Sequence, residues 1–198
     1  MTKITIGLTG GIATGKSTLE RLLRTRGIPV LDADWVSREM VVPGTQALAA
    51  IIKRYGIDIL NSYGSLDRKK LGRIVFQDAE ERHWLEQLIH PLVRTRMSAW
   101  RDADEQLKVL SIPLLFESGM TDLVDLVWVV SCTPAMQQIR LQQRDHLTAE
   151  EAQTRIQAQM PLDQKIAWAD WVFENDHSPE QLAYQLDQAL ASLPLEPR

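Results

Sequence analysis

The chain has 198 residues, a length that suits one α/β domain carrying an insertion or two. Its apolar fraction of 44% and charged fraction of 24% are typical of a globular protein and exclude a disordered or fibrous chain. The net charge of -4 gives no basic footprint for nucleic acid, so we expect any anionic ligand to be held by a local cluster.

Cys132 is the single cysteine and has no internal disulfide partner, which favours a reducing compartment. The beginning MTKITIGL has too short an apolar run for a signal peptide, and no stretch approaches membrane-spanning length. The sequence therefore predicts a cytoplasmic protein without a membrane partner.

Five short apolar runs rich in β-branched residues are typical of buried parallel strands. They are residues 4–9, 29–32, 108–112, 126–131 and 171–174. Helical patterns separate them, which predicts an α/β fold with a doubly wound, parallel five-stranded sheet.

Two long gaps between these strands predict helical excursions. The first, residues 34–106, carries no strand-like runs and has break signals at Pro43-Gly44, Gly56, Gly64 and His90-Pro91. The second, residues 134–169, contains a predicted capping box from Thr148 to Glu151 and a break at Met160-Pro161.

The ends of two further helices can be predicted from the same signals. Gly27 follows the first helical pattern, residues 17–26, and is expected to end that helix. Ser178-Pro179 is expected to begin a final helix that runs to about Leu193.

The stretch GLTGGIATGKST, residues 7–18, contains the phosphate-loop pattern Gly10-x-x-x-x-Gly15-Lys16-Ser17 between an apolar strand and a helical pattern. Such a loop turns its backbone N–H groups toward phosphates, where the helix N-terminus adds positive potential. We expect Lys16 to reach the β- and γ-phosphates of ATP and Ser17 to ligate Mg²⁺. The predicted cofactor-binding residues are Gly11, Ala13, Thr14, Gly15, Lys16, Ser17 and Thr18. In the alternative interpretation Ser17 and Glu20 only form a capping box, which leaves Lys16 unexplained.

An acidic pair, Asp32 and Asp34, follows the second predicted strand. The carboxyl ends of strands in an open α/β sheet are where ligands bind. Phosphoryl transfer to a hydroxyl needs a carboxylate that orients the hydroxyl and accepts its proton, and Mg²⁺ to balance the phosphate charge. Helix capping by Asp34 before Trp35 is the alternative.

No apolar strand ends in the acidic residue typical of Walker B. This leaves Ser17 and water to hold the metal, with Asp32 and Glu117 as further candidates.

The second excursion carries four cations, Arg140, Arg144, Arg155 and Lys165, and the first two lie one helical turn apart. Guanidinium groups that close over a nucleotide stabilise the transferring phosphoryl and exclude water. The alternative is a solvated helix face paired with Asp145, Glu150 and Glu151.

Three other classes of protein predict different features. A GTPase switch predicts Asn-Lys-x-Asp and Asp-x-x-Gly motifs, and neither is present. A DNA-associated ATPase is disfavoured by the acidic charge and by the missing Walker B acid. Another small-molecule or nucleotide kinase of the same fold stays open as the alternative.

The combination of motifs resembles the dephospho-CoA kinase family over nearly the whole chain. The matching segments are residues 6–12, 15–18, 32–34, 43–44, 66–68, 71–76, 90–91, 113–117, 138–141, 144–145, 155–156, 159–161, 165 and 169–170. The resemblance implies ATP-dependent phosphorylation of the ribose 3′-hydroxyl of dephospho-CoA on a nucleoside-monophosphate-kinase-like fold. A monomer and a small homo-oligomer both remain open.

The resemblance also implies roles for parts of the chain. Residues 1–33, 107–133 and 170–198 would form the nucleotide-binding core, residues 34–106 the helical acceptor domain and residues 134–169 the lid. Asp34 would be the catalytic base with Asp32 beside it, His90 would lie in the acceptor site, and Lys16, Arg140 and Arg144 would stabilise charge. The sequence departs from the family pattern at Ala13-Thr14, where Gly-Ser is frequent, and at His177, where Gly is usual.

Overall fold

The structure, a computed structural model, describes residues 3–194. Its centre is a five-stranded parallel sheet with the order β2-β3-β1-β4-β5. The strands are β1 (Ile4–Gly10), β2 (Val30–Asp32), β3 (Leu107–Ser111), β4 (Leu126–Ser131) and β5 (Trp171–Glu174). The predicted fold class is confirmed, and each predicted strand lies within about one residue of its observed bounds.

The central position of β1 explains its composition. Gly7 pairs with Leu110 of β3 on one side and with Val127 of β4 on the other. All seven residues of β1 are buried. A strand with two paired edges and two covered faces needs a continuous apolar run rather than an alternating one.

Helices connect the strands in the part of the chain that the structure describes. They are α1 (Lys16–Thr25), α2 (Ala33–Glu39), α3 (Gln46–Tyr55), α4 (Arg68–Gln77), α5 (Ala79–Arg101), α6 (Pro134–Asp145), α7 (Ala149–Gln157), α8 (Leu162–Ala167) and α9 (Pro179–Ala191), with short 3-10 helices at Ile57–Ile59 and Thr121–Leu123.

The predicted helix ends at Gly27, Thr148 and Ser178 are confirmed. Gly27 has a positive φ of 75° just past α1, where its N–H and that of Ile28 bond the carbonyls of Arg24 and Leu23. The Thr148 hydroxyl and the Glu151 carboxylate complete the capping box of α7, and Ser178 caps α9. These ends depend on local chemistry, which is why the sequence predicted them.

The predicted break at His90-Pro91 is wrong, because α5 continues through Pro91 as one helix of 23 residues. A proline removes one backbone hydrogen bond and crowds the preceding turn, but tertiary packing can outweigh that cost. Val93 and Met97, beyond the proline, are buried, and α5 packs against both α2 and α4. Burial of these two residues after Pro91, together with partial burial of Leu85 and Leu88 before it, keeps the helix continuous.

The chain divides into two compact units. The first holds the described residues up to Leu31 and from Ala103 onward, and the second is Asp32–Asp102. The core of the first unit lies between the sheet and helices α1 and α9, with Leu8, Leu19, Trp128, Phe173 and Leu186 almost fully buried. The second unit has its own core, centred on Leu48, Ile51 and Ile59. Residues 134–169 belong to the first unit, and their role as a lid stays a prediction.

Candidate active site

The phosphate loop follows the central strand, where Gly10 ends β1, and α1 begins at Lys16. Gly15 is the N-cap of α1 and has a φ of 100°. No side-chain hydrogen bond caps this helix. The alternative of a Ser17–Glu20 capping box is therefore wrong. Since the first N–H groups of a helix have no partner within it, the loop and the helix start can bind an anion.

Two glutamine side chains form hydrogen bonds with the backbone of the loop. The Ile12 N–H donates to Gln159 Oε1 at 2.8 Å, and the Ile12 carbonyl accepts from Gln137 Nε2 at 2.8 Å. Both partners come from residues 134–169, more than a hundred positions along the chain. These glutamines could not be assigned a role from the sequence, because no local pattern indicates their contact with the loop.

Arg140 and Asn175 contact the next part of the loop. Asn175 Nδ2 donates to the Thr14 carbonyl at 2.8 Å, and Arg140 Nη1 donates to the same oxygen at 3.5 Å. Arg140 Nη2 also donates to the Asn175 carbonyl at 2.7 Å. Of the cations predicted for the lid, Arg140 is therefore the one that the structure joins directly to the phosphate loop.

Lys16, Glu20 and Ser111 form a hydrogen-bonded triangle beside the loop. Lys16 Nζ lies 2.7 Å from Glu20 Oε1 and also donates to the Ser111 hydroxyl. The Ser111 hydroxyl in turn donates to Glu20 Oε1 at 2.6 Å. Glu20 and Ser111 are buried, and the Lys16 side chain is 16% exposed. The pairing of Lys16 with Glu20 was not predicted, although a spacing of four residues on one helix is the signal for such a pair.

Opposing effects set the ionisation of Glu20. Burial raises the pKa of this carboxyl, but Lys16, through its charge and its hydrogen bond, lowers it, and Ser111 and Arg24 lower it further. The net result is a pKa below the usual value for glutamate. Glu20 is therefore a buried carboxylate anion paired with the lysine of the phosphate loop.

Arg144 and Arg155 share one carboxylate. Arg144 Nε and Nη2 lie 2.8 Å and 3.0 Å from the two oxygens of Asp145, and Arg155 Nη1 lies 3.0 Å from Oδ2. The hydrogen bonds from Arg144 are the largest cause of a lowered pKa for Asp145. Both arginine side chains are about half exposed. This arrangement is the solvated face that the sequence left open as the alternative for these two residues.

Glu117 and Lys165 form an ion pair. Lys165 Nζ lies 2.8 Å from Glu117 Oε1 and donates to the Pro113 carbonyl at 3.2 Å. The Lys165 side chain is fully buried. Glu117, a candidate metal ligand, instead balances a buried ammonium, and Lys165 is not a cation on an open lid surface.

In the second unit, Asp32 is the N-cap of α2. Its Oδ1 accepts from the N–H groups of Asp34 and Trp35 at 2.6 Å and 3.3 Å. Asp32 therefore caps α2, and Asp34 does not. Asp34 lies exposed in the first turn of this helix. His90 lies exposed in the middle of α5.

Residues 3–194 lack two features, a cluster of acidic, histidine or cysteine ligands and a helix fit to cross a membrane. This part of the chain contains no cluster of three or more His, Cys, Asp or Glu residues that could hold a metal ion. None of its helices combines the length and the apolar character needed to cross a membrane.

The departures from the family pattern have different structural outcomes. Ala13 adopts a positive φ of 60°, a conformation that favours glycine. His177 is not among the described residues with positive φ, so its turn accommodates a β-carbon without that strain. Strain is therefore found at Ala13 and not at His177.

A parallel sheet of this order, with a phosphate loop after its central strand and the loop's lysine at the start of a helix, defines the class: the chain is a P-loop kinase. Residues 4–181 match the family described as dephospho-CoA kinase. The chain belongs to the dephospho-CoA kinase family, and its activity is that family's ATP-dependent reaction, the final step of CoA biosynthesis.

Similar proteins span nearly the same length. The dephospho-CoA kinase of Gloeobacter violaceus is 50% identical over 190 residues, which cover 96% of this chain and 93% of that protein. The crystal structure of a Thermus thermophilus protein matches with a TM-score of 0.81 at 36% identity and covers 98% of this chain and 99% of that one. Dephospho-CoA kinase from Campylobacter jejuni matches with a TM-score of 0.72 at 27% identity, covering 96% of each chain.

Proposed function

We propose that this chain transfers the γ-phosphoryl group of ATP to the ribose 3′-hydroxyl of dephospho-CoA, using the residues named below. The observation that carries the proposal is the position of Lys16, at the head of α1 and next to a loop of backbone amides, in a chain of this family. The loop supports the identity of the donor, and the family supports that of the acceptor.

ATP binding is assigned to Gly11 and to residues 13–18. Their backbone N–H groups would bond the phosphate oxygens, and the positive end of α1 would add to the attraction. Lys16 would place a positive charge on the β- and γ-phosphates, where negative charge shifts during transfer. The contacts of Ile12 with Gln137 and Gln159 support this role, because they hold the backbone of the loop in place.

Mg²⁺ fits the donor set if the nucleotide supplies most of the ligands. Mg²⁺ is commonly held by few protein oxygens together with phosphates and water. Ser17 is exposed in the first turn of α1 and does not cap that helix, so its hydroxyl suits one ligand position. Asp32 uses Oδ1 for the cap of α2, and its carboxylate is the second group that we assign to the metal. When bound, Mg²⁺ neutralises part of the phosphate charge.

The acceptor residues are assigned to the second unit. Asp34 would accept a hydrogen bond from the 3′-hydroxyl and take its proton as the phosphoryl group is transferred. The capping role of Asp32 supports this choice, since it leaves Asp34 in the first helical turn with an exposed side chain. His90 is assigned to contacts with the rest of the acceptor.

Stabilisation of the negative charge on the transferring phosphoryl group is assigned to Arg140 and Arg144. The hydrogen bonds of Arg140 to the Thr14 and Asn175 carbonyls support a fixed position beside the loop. Arg144 would exchange the carboxylate of Asp145 for a phosphate, because both present oxygen pairs that match a guanidinium. The two arginines would therefore act differently, one from a fixed position and the other after a change of partner.

The cellular location belongs to the proposal as well. Cys132 is buried at the end of β4, as expected for a small core side chain, and no other cysteine is present. This fits a reducing compartment, and we propose the cytoplasm.

The reaction is tested by an acceptor panel. Purified protein is given ATP and Mg²⁺ with dephospho-CoA, AMP, adenosine or shikimate, and ADP release is followed together with the position of the new phosphate. We expect turnover with dephospho-CoA and a product that carries a 3′-phosphate. Faster turnover with another acceptor would identify the chain as a different kinase of the same fold.

A further inference from the structure

The end of β3 differs from what a phosphate-loop enzyme leads one to expect. In many such enzymes a strand ends in an acidic residue that serves the metal and the phosphates. Here β3, the neighbour of β1, ends in Ser111, whose side chain carries no charge. The carboxylate at this point comes instead from Glu20 on α1, which accepts a hydrogen bond from Ser111 at 2.6 Å.

We propose that Glu20 is a positioning residue for Lys16: its carboxylate, together with the Ser111 hydroxyl, fixes the ammonium group beside the phosphate loop and offsets part of its charge. The inference rests on the proposed contact of Lys16 with the phosphates of ATP. It adds a residue that touches neither substrate and acts through the lysine.

The geometry of the triangle supports a fixed ammonium. An ammonium group has three N–H donors, and Glu20 and Ser111 take two of those of Lys16. The third donor is directed by the first two, so a phosphate oxygen would meet a group whose position is already set. Such preorganisation raises the rate of a transfer step, since little rearrangement remains to be made.

The charge of Glu20 has a second consequence. A carboxylate 2.7 Å from Lys16 Nζ lowers the positive potential that a phosphate would meet. Burial of Glu20 keeps water from screening this effect. Loss of the charge is therefore expected to tighten nucleotide binding while it loosens the ammonium.

The opposite signs of these two effects give the test. In Glu20→Gln we expect the KM for ATP and the Kd for ADP with Mg²⁺, measured by calorimetry, to fall about threefold or more, and kcat to fall about tenfold. If Glu20 served stability alone, Glu20→Gln would lower the thermal unfolding midpoint without tighter binding of the nucleotide. A KM that is unchanged or raised, or an unchanged kcat, would overturn the proposal.

Two further variants separate position from charge. Ser111→Ala removes a partner of the ammonium but keeps the carboxylate, so kcat is expected to fall while the KM for ATP stays within about twofold. Arg24→Gln is the matched control, because Arg24 contacts the other oxygen of Glu20 at 3.4 Å and does not bond Lys16. Its kinetic constants are expected to match the parent, and a KM shift equal to that of Glu20→Gln would contradict the proposal.

The ADP measurement keeps this inference separate from the proposed acceptor. If the parent turns over a different acceptor, the proposed function fails, while ADP binding by Glu20→Gln still tests the contact with Lys16. If the parent phosphorylates dephospho-CoA and Glu20→Gln behaves as the parent does, the role of Glu20 alone is refuted.

Discussion

Gly15 and Asn175 are packed so closely that a β-carbon on Gly15 would overlap the side-chain amide nitrogen of Asn175. The same amide donates a hydrogen bond to the Thr14 carbonyl at 2.8 Å. Asn175 follows β5 and is buried, so the end of an edge strand closes one side of the phosphate loop. Glycine is required at position 15 for two reasons, the overlap and a φ of 100°.

The two reasons can be separated in a double-mutant cycle. Gly15→Ala is expected to lower the free energy of unfolding by about 2–4 kcal/mol and to abolish measurable ADP binding, because both the overlap and the backbone are unfavourable. In an Asn175→Ala background the overlap is gone, so the same substitution should cost less, about 1–2 kcal/mol from the backbone alone. Urea unfolding of the four proteins gives the coupling. Equal costs in the two backgrounds would show that the overlap does not matter.

Lys16→Ala is expected to lower kcat by about 10²–10³, since one fixed positive group at the transferring phosphate is lost. The measurement is the initial rate of ADP release with dephospho-CoA. Lys53→Ala removes an exposed lysine in α3 and serves as the control for loss of one positive charge. A rate for Lys16→Ala within a few-fold of the parent would contradict the assignment of the phosphate loop.

Asp34→Asn is expected to leave ADP binding within about twofold of the parent and to lower kcat by about 10²–10⁴, because the acceptor hydroxyl loses its proton acceptor. The amide keeps the size of the side chain, and the cap of α2 is made by Asp32, so the helix should persist. Glu39→Gln, the same change of charge at the end of α2, should leave both constants unchanged. Near-normal turnover in Asp34→Asn would rule out this residue as the base.

Much of the fold was predictable because its signals are local. The strands are apolar runs, and the ends of α1, α7 and α9 are marked by Gly27, Thr148 and Ser178. The continuation of α5 through Pro91 was not predictable from the sequence, since it depends on tertiary burial of residues such as Val93.

The partners of the site residues were harder to predict than the residues themselves. Glu20 and Ser111 are 91 positions apart and meet because β1 and β3 are neighbours, a pairing that the apolar runs do not specify. Asn175, after the edge strand β5, contacts Thr14, after β1, over 161 positions, although β4 lies between these two strands. The pattern predicts a phosphate loop, whereas the side chains that support it follow from the order of the strands.

Ala13 offers a test of backbone strain in the loop. Its φ of 60° costs an alanine about 1–2 kcal/mol, part of which a glycine recovers after its larger loss of chain entropy. Ala13→Gly is therefore expected to raise the free energy of unfolding by about 0.5–1 kcal/mol. Gly27→Ala is the mirror control, because φ there is 75° and a β-carbon would meet no atom within 4 Å. Gly27→Ala should lower the free energy of unfolding by a similar amount. A lower free energy of unfolding in Ala13→Gly would contradict backbone strain at Ala13.

The last prediction concerns acid stability of the second unit, where Glu81 of α5 bonds two residues of α3. Arg54 lies 2.6 Å and 2.8 Å from its two oxygens, and the Tyr55 hydroxyl also donates to it. Hydrogen bonds from Arg54 and then Tyr55 lower the pKa of Glu81 to about 2. Because the folded value lies below the unfolded value of about 4.3, this stabilisation is complete above the unfolded pKa and is lost as the pH falls toward 2.

Glu81→Gln removes the titrating carboxyl, so a comparison of the variant with the parent shows how much that carboxyl contributes to stability at each pH. At pH 7 the variant is expected to unfold at lower urea than the parent, and the difference between the two proteins should shrink steadily from about pH 5 to pH 2.5. Glu86→Gln, at an exposed position of the same helix, controls for the loss of a carboxylate and should differ little from the parent at any pH. If the difference for Glu81→Gln stays constant down to pH 2.5, the ion pair with Arg54 does not stabilise the fold through the charge of Glu81.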